Sequence, residues 1–149
     1  MKRREVLAAG AGLALLALVR PASATPERMA AAIKTFTGGT APREGKVSFD
    51  IAQLIDNGNA VPVTVAVENA GSSSGHVAAI AIFNEKNPHT DVAVFTLGPR
   101  AGKAEVSTRI RLATSQRLVA IARMDDGSYW SKSVDVIVTL AACIEGEAP

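Results

Sequence analysis

Apolar and polar residues alternate at period two through most of this chain. Val61, Val63, Val65 and Val67 recur at every second position, and so do Val134, Val136, Val138 and Leu140. That is the pattern of strands with one buried face. The cleanest run covers residues 104–112. There Val106, Thr108, Ile110 and Leu112 share one face, while Glu105, Ser107, Arg109 and Arg111 share the other. Further strand patterns cover residues 46–51, 77–84, 92–97, 117–124 and 129 onward. Turn chemistry separates them, notably Asp56-Asn57-Gly58-Asn59, Asn87-Pro88, Gly98-Pro99 and the hairpin signal Asp125-Asp126-Gly127. About seven short strands with no helical pattern between them predict an antiparallel β-sandwich. The fold is immunoglobulin-like only, because the cysteine pair and core tryptophan of antibody domains are missing. The segment Val77-Ala78-Ala79-Ile80-Ala81-Ile82-Phe83 is apolar on both faces. Such a strand is either central and covered on both sides or part of a partner surface. It motivates the expectation of a stable heterodimer formed through an apolar sheet face.

One helical pattern precedes the strands. Thr25 can cap it, Pro26 suits its first position, and Met29, Ile33 and Phe36 fall at i, i+4 and i+7 before Gly38-Gly39 stops it. This segment reads as a short docking helix or a mobile arm. Ahead of it lies a different texture: Met1-Lys2-Arg3-Arg4-Glu5, an uncharged run from Val6 to Val19, then Arg20-Pro21-Ala22-Ser23-Ala24. A positive start, an apolar stretch and a small-x-small site make a signal peptide. The run is shorter than the roughly 20 residues a bilayer span needs, and two glycines interrupt it. Arg3-Arg4 followed by Val6-Leu7 is similar to a twin-arginine leader, with Lys2 where Ser or Thr is usual. The organisation expected is a signal peptide over 1–24, a helix or arm over 25–39, the sandwich over 40–140 and a C-terminal arm over 141–149. The mature protein is expected outside the cytoplasm, in the periplasm, and not in the membrane.

Composition narrows the function classes. At 48% hydrophobic and 20% charged, the chain can build a core. Lys2, Arg3, Arg4 and Arg20 against Glu5 give the leader a net +3. The whole-chain +2 therefore leaves −1 on the other 125 residues, with no electrostatic case for nucleic acid. A single cysteine excludes an internal disulfide or a cysteine zinc cage. His76 and His89 lack carboxylates at metal-site spacing and read as surface residues beside loops. Asp125 and Asp126 are turn neighbours whose side chains point apart. Ser72, Ser73 and Ser74 have no histidine placed to activate them. Arg109 and Arg111 share a strand face and could chelate an anion or pair with acidic groups across an interface. The plainer alternative is a solvated face balanced by Glu105.

Cys143 stands apart. It lies three residues beyond the last strand pattern, with Ala141 and Ala142 before it and Ile144, Glu145, Gly146 and Glu147 after it. Chain ends are normally exposed, and a lone thiol in an oxidising compartment is a liability unless it is used. The carboxylates beside it are expected to raise the thiol pKa.

Several runs in order resemble the SoxY family: 57–65 (Asn57-Gly58-Asn59-Ala60-Val61), Asn84-Glu85-Lys86-Asn87-Pro88, 108–116 (Thr108-Arg109-Ile110-Arg111-Leu112), Asp126-Gly127-Ser128-Tyr129-Trp130 and the closing stretch from Val134 to Cys143. The resemblance implies an immunoglobulin-like sandwich paired with a SoxZ-like sandwich subunit. It also implies a covalent sulfur carrier in thiosulfate oxidation, with Cys143 as the attachment point on a swinging arm and no other cofactor. Separate Sox-type loading, hydrolase and dehydrogenase enzymes would then act on the carried sulfur, so the chain itself would not be an enzyme. Where the family arm usually ends Gly-Gly-Cys-Gly-Gly, this chain has Ala141-Ala142-Cys143-Ile144-Glu145-Gly146. Branched bulk therefore replaces the slim, freely rotating glycines. Two alternatives compete with this reading. One is a periplasmic binding or assembly module with a vestigial cysteine. The other is a thiol oxidoreductase, weakened by the missing second cysteine. For the leader, replacing Arg3 and Arg4 by Lys is expected to hold the protein in the cytoplasm. Normal export of that double variant, read by cell fractionation, would exclude the twin-arginine route.

Overall fold

The computed structural model describes residues 25–68 and 75–140. The leader, the Ser72–74 run and the arm with Cys143 lie outside the described residues. Helix α1 spans Pro26–Thr37. Thr25 caps it in an extended conformation, its hydroxyl accepting from the Arg28 N–H at 3.3 Å. Gly38 ends it in the left-handed region at φ 61°, and the Gly39 N–H donates to the Lys34 carbonyl at 2.9 Å. Nine strands follow: β1 (Arg43–Glu44), β2 (Val47–Asp50), β3 (Leu54–Ile55), β4 (Val61–Val67), β5 (Val77–Asn84), β6 (Asp91–Thr96), β7 (Glu105–Ile110), β8 (Gln116–Met124) and β9 (Tyr129–Val138). The seven longer ones are those the alternation predicts. They form a six-stranded sheet in the order β1-β9-β8-β5-β6, with β3 also on β9, and a three-stranded sheet β2-β4-β7.

The period-two pattern becomes the core. Val61, Val63, Val65 and Val67 from the small sheet pack against Ile80, Ile82, Leu118, Ala120 and Val136 of the large one. Ile80, Val65, Leu118 and Leu112 are fully buried. On the outer face of the large sheet, Ala81, Phe83, Val119 and Ile121 are covered by Met29, Ile33 and Phe36 of α1. The Phe36 ring meets Phe83 and Tyr129 edge-on, with centroids 5.8 and 6.0 Å away. The two-faced strand β5 is thus central and covered on both sides. Its outer face is taken by the protein's own helix. The expectation that this strand forms a heterodimer face is therefore corrected.

The two lateral edges of the sandwich differ. Residues 43–55 run along β9: β1 pairs parallel with it at Arg43↔Trp130, β3 pairs parallel with it at Leu54↔Ile137, and β2 between them crosses to the small sheet. Gly45 at φ 120° and Lys46 at φ 55° make the first crossing. The Lys46 ammonium lies 4.4 Å from the centroid of the Trp130 ring. β1 and β3 escape sequence reading because two residues carry no period. At the other edge, β6 and β7 each have one strand neighbour only.

A buried polar knot fastens one end. Asn84, 1% exposed, donates to the His89 carbonyl at 2.8 Å and accepts from the Asn87 N–H at 2.9 Å. Asn87 in turn donates to the Arg111 carbonyl and accepts from the Ala113 N–H and from Gln116. The β5–β6 turn is thereby tied to the end of the opposite sheet. Removing the Asn84 amide breaks both hydrogen bonds that this buried side chain makes to the β5–β6 turn, so Asn84→Ala is expected to cost about 1–3 kcal/mol. A lowered urea midpoint at unchanged slope would register it.

Candidate functional site: the root of the C-terminal arm

The last described residues, Thr139 and Leu140, are firmly held. The Thr139 N–H donates to the Ile55 carbonyl at 2.9 Å, and its hydroxyl donates to the carbonyls of Ile55 and Asp56 at 3.3 and 3.0 Å. The Leu140 carbonyl accepts from the Gly58 N–H, and the Gly58 carbonyl accepts from the Leu112 N–H, both at 2.9 Å. On the other side of β9, the Val138 N–H donates to the Ser115 hydroxyl at 2.8 Å. The Asp56-Asn57-Gly58-Asn59 turn thus grips the last described residues of the arm's base. The Asn57 side chain shapes this turn by accepting from the Asn59 N–H at 2.9 Å. Cys143 follows Leu140 by three residues, and with Ala141, Ala142, Ile144, Glu145 and Gly146 it lies outside the described residues.

The surface at this root is apolar. Leu54 and Ile137 are 63% and 61% exposed, and Leu140 is 59% exposed. Beside them Arg117 and Asp135 form a two-point ion pair, Nε to Oδ1 at 2.9 Å and Nη2 to Oδ2 at 3.2 Å. The guanidinium holds the Asp135 carboxyl below the ordinary aspartate range.

Arg109 is exposed on β7, opposite Pro62 of β4, and Arg111 is exposed just beyond the strand's end. Among the described residues neither forms an ion pair, with Glu105 or with any other carboxylate. Both line an open cleft of about 460 Å³ at the β6–β7 edge, together with Asn87, Pro88, His89 and Ile110. Sequence reasoning set His89 aside as a surface residue, yet the Asn84 knot carries it to the same cleft as the arginines. The signal was Asn84-x-x-Asn87-Pro88, a turn that bonds to itself. His76 sits at the far end of β5, its Nδ1 3.1 Å from Asp125 Oδ2. Asp126 turns away and accepts from the Ser128 N–H at 2.8 Å. Among the described residues no group of three or more His, Cys, Asp or Glu side chains is placed to hold a metal ion.

The described residues form a small two-sheet β-sandwich with an open edge at β6–β7 and a tightly hydrogen-bonded end to β9. The chain is a member of the SoxY family. Residues 33–143 match the family described as sulfur oxidation protein SoxY. The structure is similar to that of the sulfur carrier protein SoxY from Chlorobium limicola f thiosulfatophilum, with a TM-score of 0.64 and 30% identity, covering 78% of this chain and 100% of that one. It also resembles a superoxide reductase (neelaredoxin) from Ignicoccus hospitalis, with a TM-score of 0.56, 13% identity, and 78% and 95% coverage. A putative superoxide reductase from Thermotoga maritima gives 0.51, 15%, and 69% and 89%. At those identities the likeness to the reductases is one of fold. No curated protein sequence matches the chain.

The depressed carboxylates set an acid limit. Hydrogen bonding to Arg117 lowers the pKa of Asp135, and hydrogen bonding to Ser128 lowers that of Asp126. A carboxylate with a lowered folded pKa stabilises the fold fully above its unfolded value, near 4. That contribution is lost as the pH falls through the lower folded value. The melting temperature is therefore expected to fall below about pH 4, and Asp126→Asn with Asp135→Asn to flatten that slope.

Proposed function

We propose that this chain is a covalent sulfur carrier in thiosulfate oxidation, with the Cys143 thiol as the attachment point. The observation that carries the reading is the SoxY family match, which runs to residue 143 itself. The likeness to a SoxY sulfur carrier over the whole of that chain supports it. Joining the thiol to the outer sulfur of thiosulfate makes a sulfur–sulfur bond and releases one proton and two electrons. The electrons must pass to an acceptor held by a separate loading enzyme. Water then splits off the sulfonate as sulfate and leaves a persulfide on the cysteine. On this reading the catalytic groups for these steps belong to the separate enzymes. The carrier is the substrate of the enzymes that visit it.

On this reading the protein works in the periplasm after removal of residues 1–24, paired with a SoxZ-type sandwich subunit. Because α1 occupies the outer face of β5, that subunit binds elsewhere. Deprotonation of the thiol falls, on this reading, to the visiting enzyme. Cys143→Ser is expected to keep the wild-type melting temperature and to lose every sulfur adduct. Intact-mass measurement of protein from thiosulfate-grown cells reads this directly. A wild-type chain that is always a bare thiol under those conditions would instead favour a binding module with an unused cysteine.

A further inference from the structure

We propose that the apolar patch made by Leu54 and Ile137, beside Leu140, is the surface on which an enzyme docks to take up the arm. The inference rests on the carrier reading above and adds to it a place of contact on the folded body.

Four large hydrophobic side chains are exposed among the described residues: Leu54, Val94, Ile137 and Leu140. Three of the four stand at the arm root. Leu54 and Ile137 are register partners in the parallel β3–β9 pair, so their side chains emerge on the same face of the large sheet. It is the face that α1 covers further along, yet the helix does not reach them. The sheet residues under α1 include Val119, whose β9 partner is Ser133, four positions short of Ile137. Arg117 and Asp135 on that face pair with each other. An apolar spot is thus left open where the fold has a helix available and does not use it.

Covalent geometry says what must come close to it. Whatever conformation residues 141–143 adopt, three residues bridge at most about 10 Å from Leu140. An enzyme that brings the Cys143 sulfur to its reacting atoms must therefore bring its own surface against the arm root. The occupant that fits is an enzyme whose arm-entry channel is rimmed by apolar side chains. A permanent subunit interface typically covers about 800 Å² or more per partner. Two or three side chains suit a contact that must also release, as serial visits by several enzymes require.

The test compares the full-length wild type with L54E/I137E, each purified from cells grown on thiosulfate. The double variant is expected to carry at least about tenfold less sulfur adduct on Cys143 by intact mass. Its melting temperature should stay within about 2 °C of wild type, and iodoacetamide should label Cys143 at the wild-type rate. Val94→Glu, at the exposed apolar residue away from the root, is expected to load normally. Should the double variant fail to fold, L54E alone carries the same comparison. Equal loading of variant and wild type overturns the docking surface while leaving the carrier reading intact. Loss of a co-purifying partner subunit from the variant assigns the patch to that subunit and overturns the proposal as well. A wild-type chain without any adduct overturns the carrier reading, and this one with it.

Discussion

The structure depends on one constraint: the β5–β8 pair is apolar on both faces, so neither face can be left in water. The three-stranded sheet takes one face and α1 takes the other, and from those two coverings most of the remaining architecture follows. The small sheet has three strands against six, which leaves β6 and β7 unclosed on one side. The helix has twelve residues, about 18 Å at 1.5 Å per residue. It shields the part of the outer face around Tyr129, Ile121 and Phe83 and stops there. What it leaves bare lies beside the base of the arm.

Much of this was written in the period of the sequence. The seven longer strands, the hairpin at Asp125-Asp126-Gly127 and the capped helix all follow from local rules that each need only a few residues of context. The alternatives posed by β5 could not be settled that way, because an apolar face looks the same whether a helix of the same chain or another protein covers it. Ile137, an apolar residue on the polar side of an alternating strand, was not singled out from the sequence, and its partner Leu54 belongs to a two-residue strand with no pattern to read. The cleft is the plainest case of a site hidden from sequence. His89 and Arg109 line one cleft, and Asn84 and Asn87 tie the β5–β6 turn to the chain just after β7.

The resemblance to superoxide reductases and the membership of the SoxY family bear on different levels of the molecule. A sandwich of this kind is shared widely, and the chemistry a protein performs is set by what is grafted onto it. In this chain one end of β9 is singled out by its hydrogen bonds: the turn around Gly58 and the hydroxyls of Ser115 and Thr139 hold the strand's final residues. Arg109 and Arg111 belong to the same end through Leu112, whose N–H meets the Gly58 carbonyl.

The clamping of β9 has a mechanical side. This strand is hydrogen-bonded along nearly its whole length to β8 and, at both ends of its other edge, to β1 and β3. A pull directed along the axis of β9 at Val138 acts across hydrogen bonds that lie roughly perpendicular to it. Such a load is shared by many bonds at once, so they resist in shear and cannot be peeled apart one after another. Such a pull on the end of β9 would therefore shift the whole sandwich as a rigid body before it drew the strand out of the sheet.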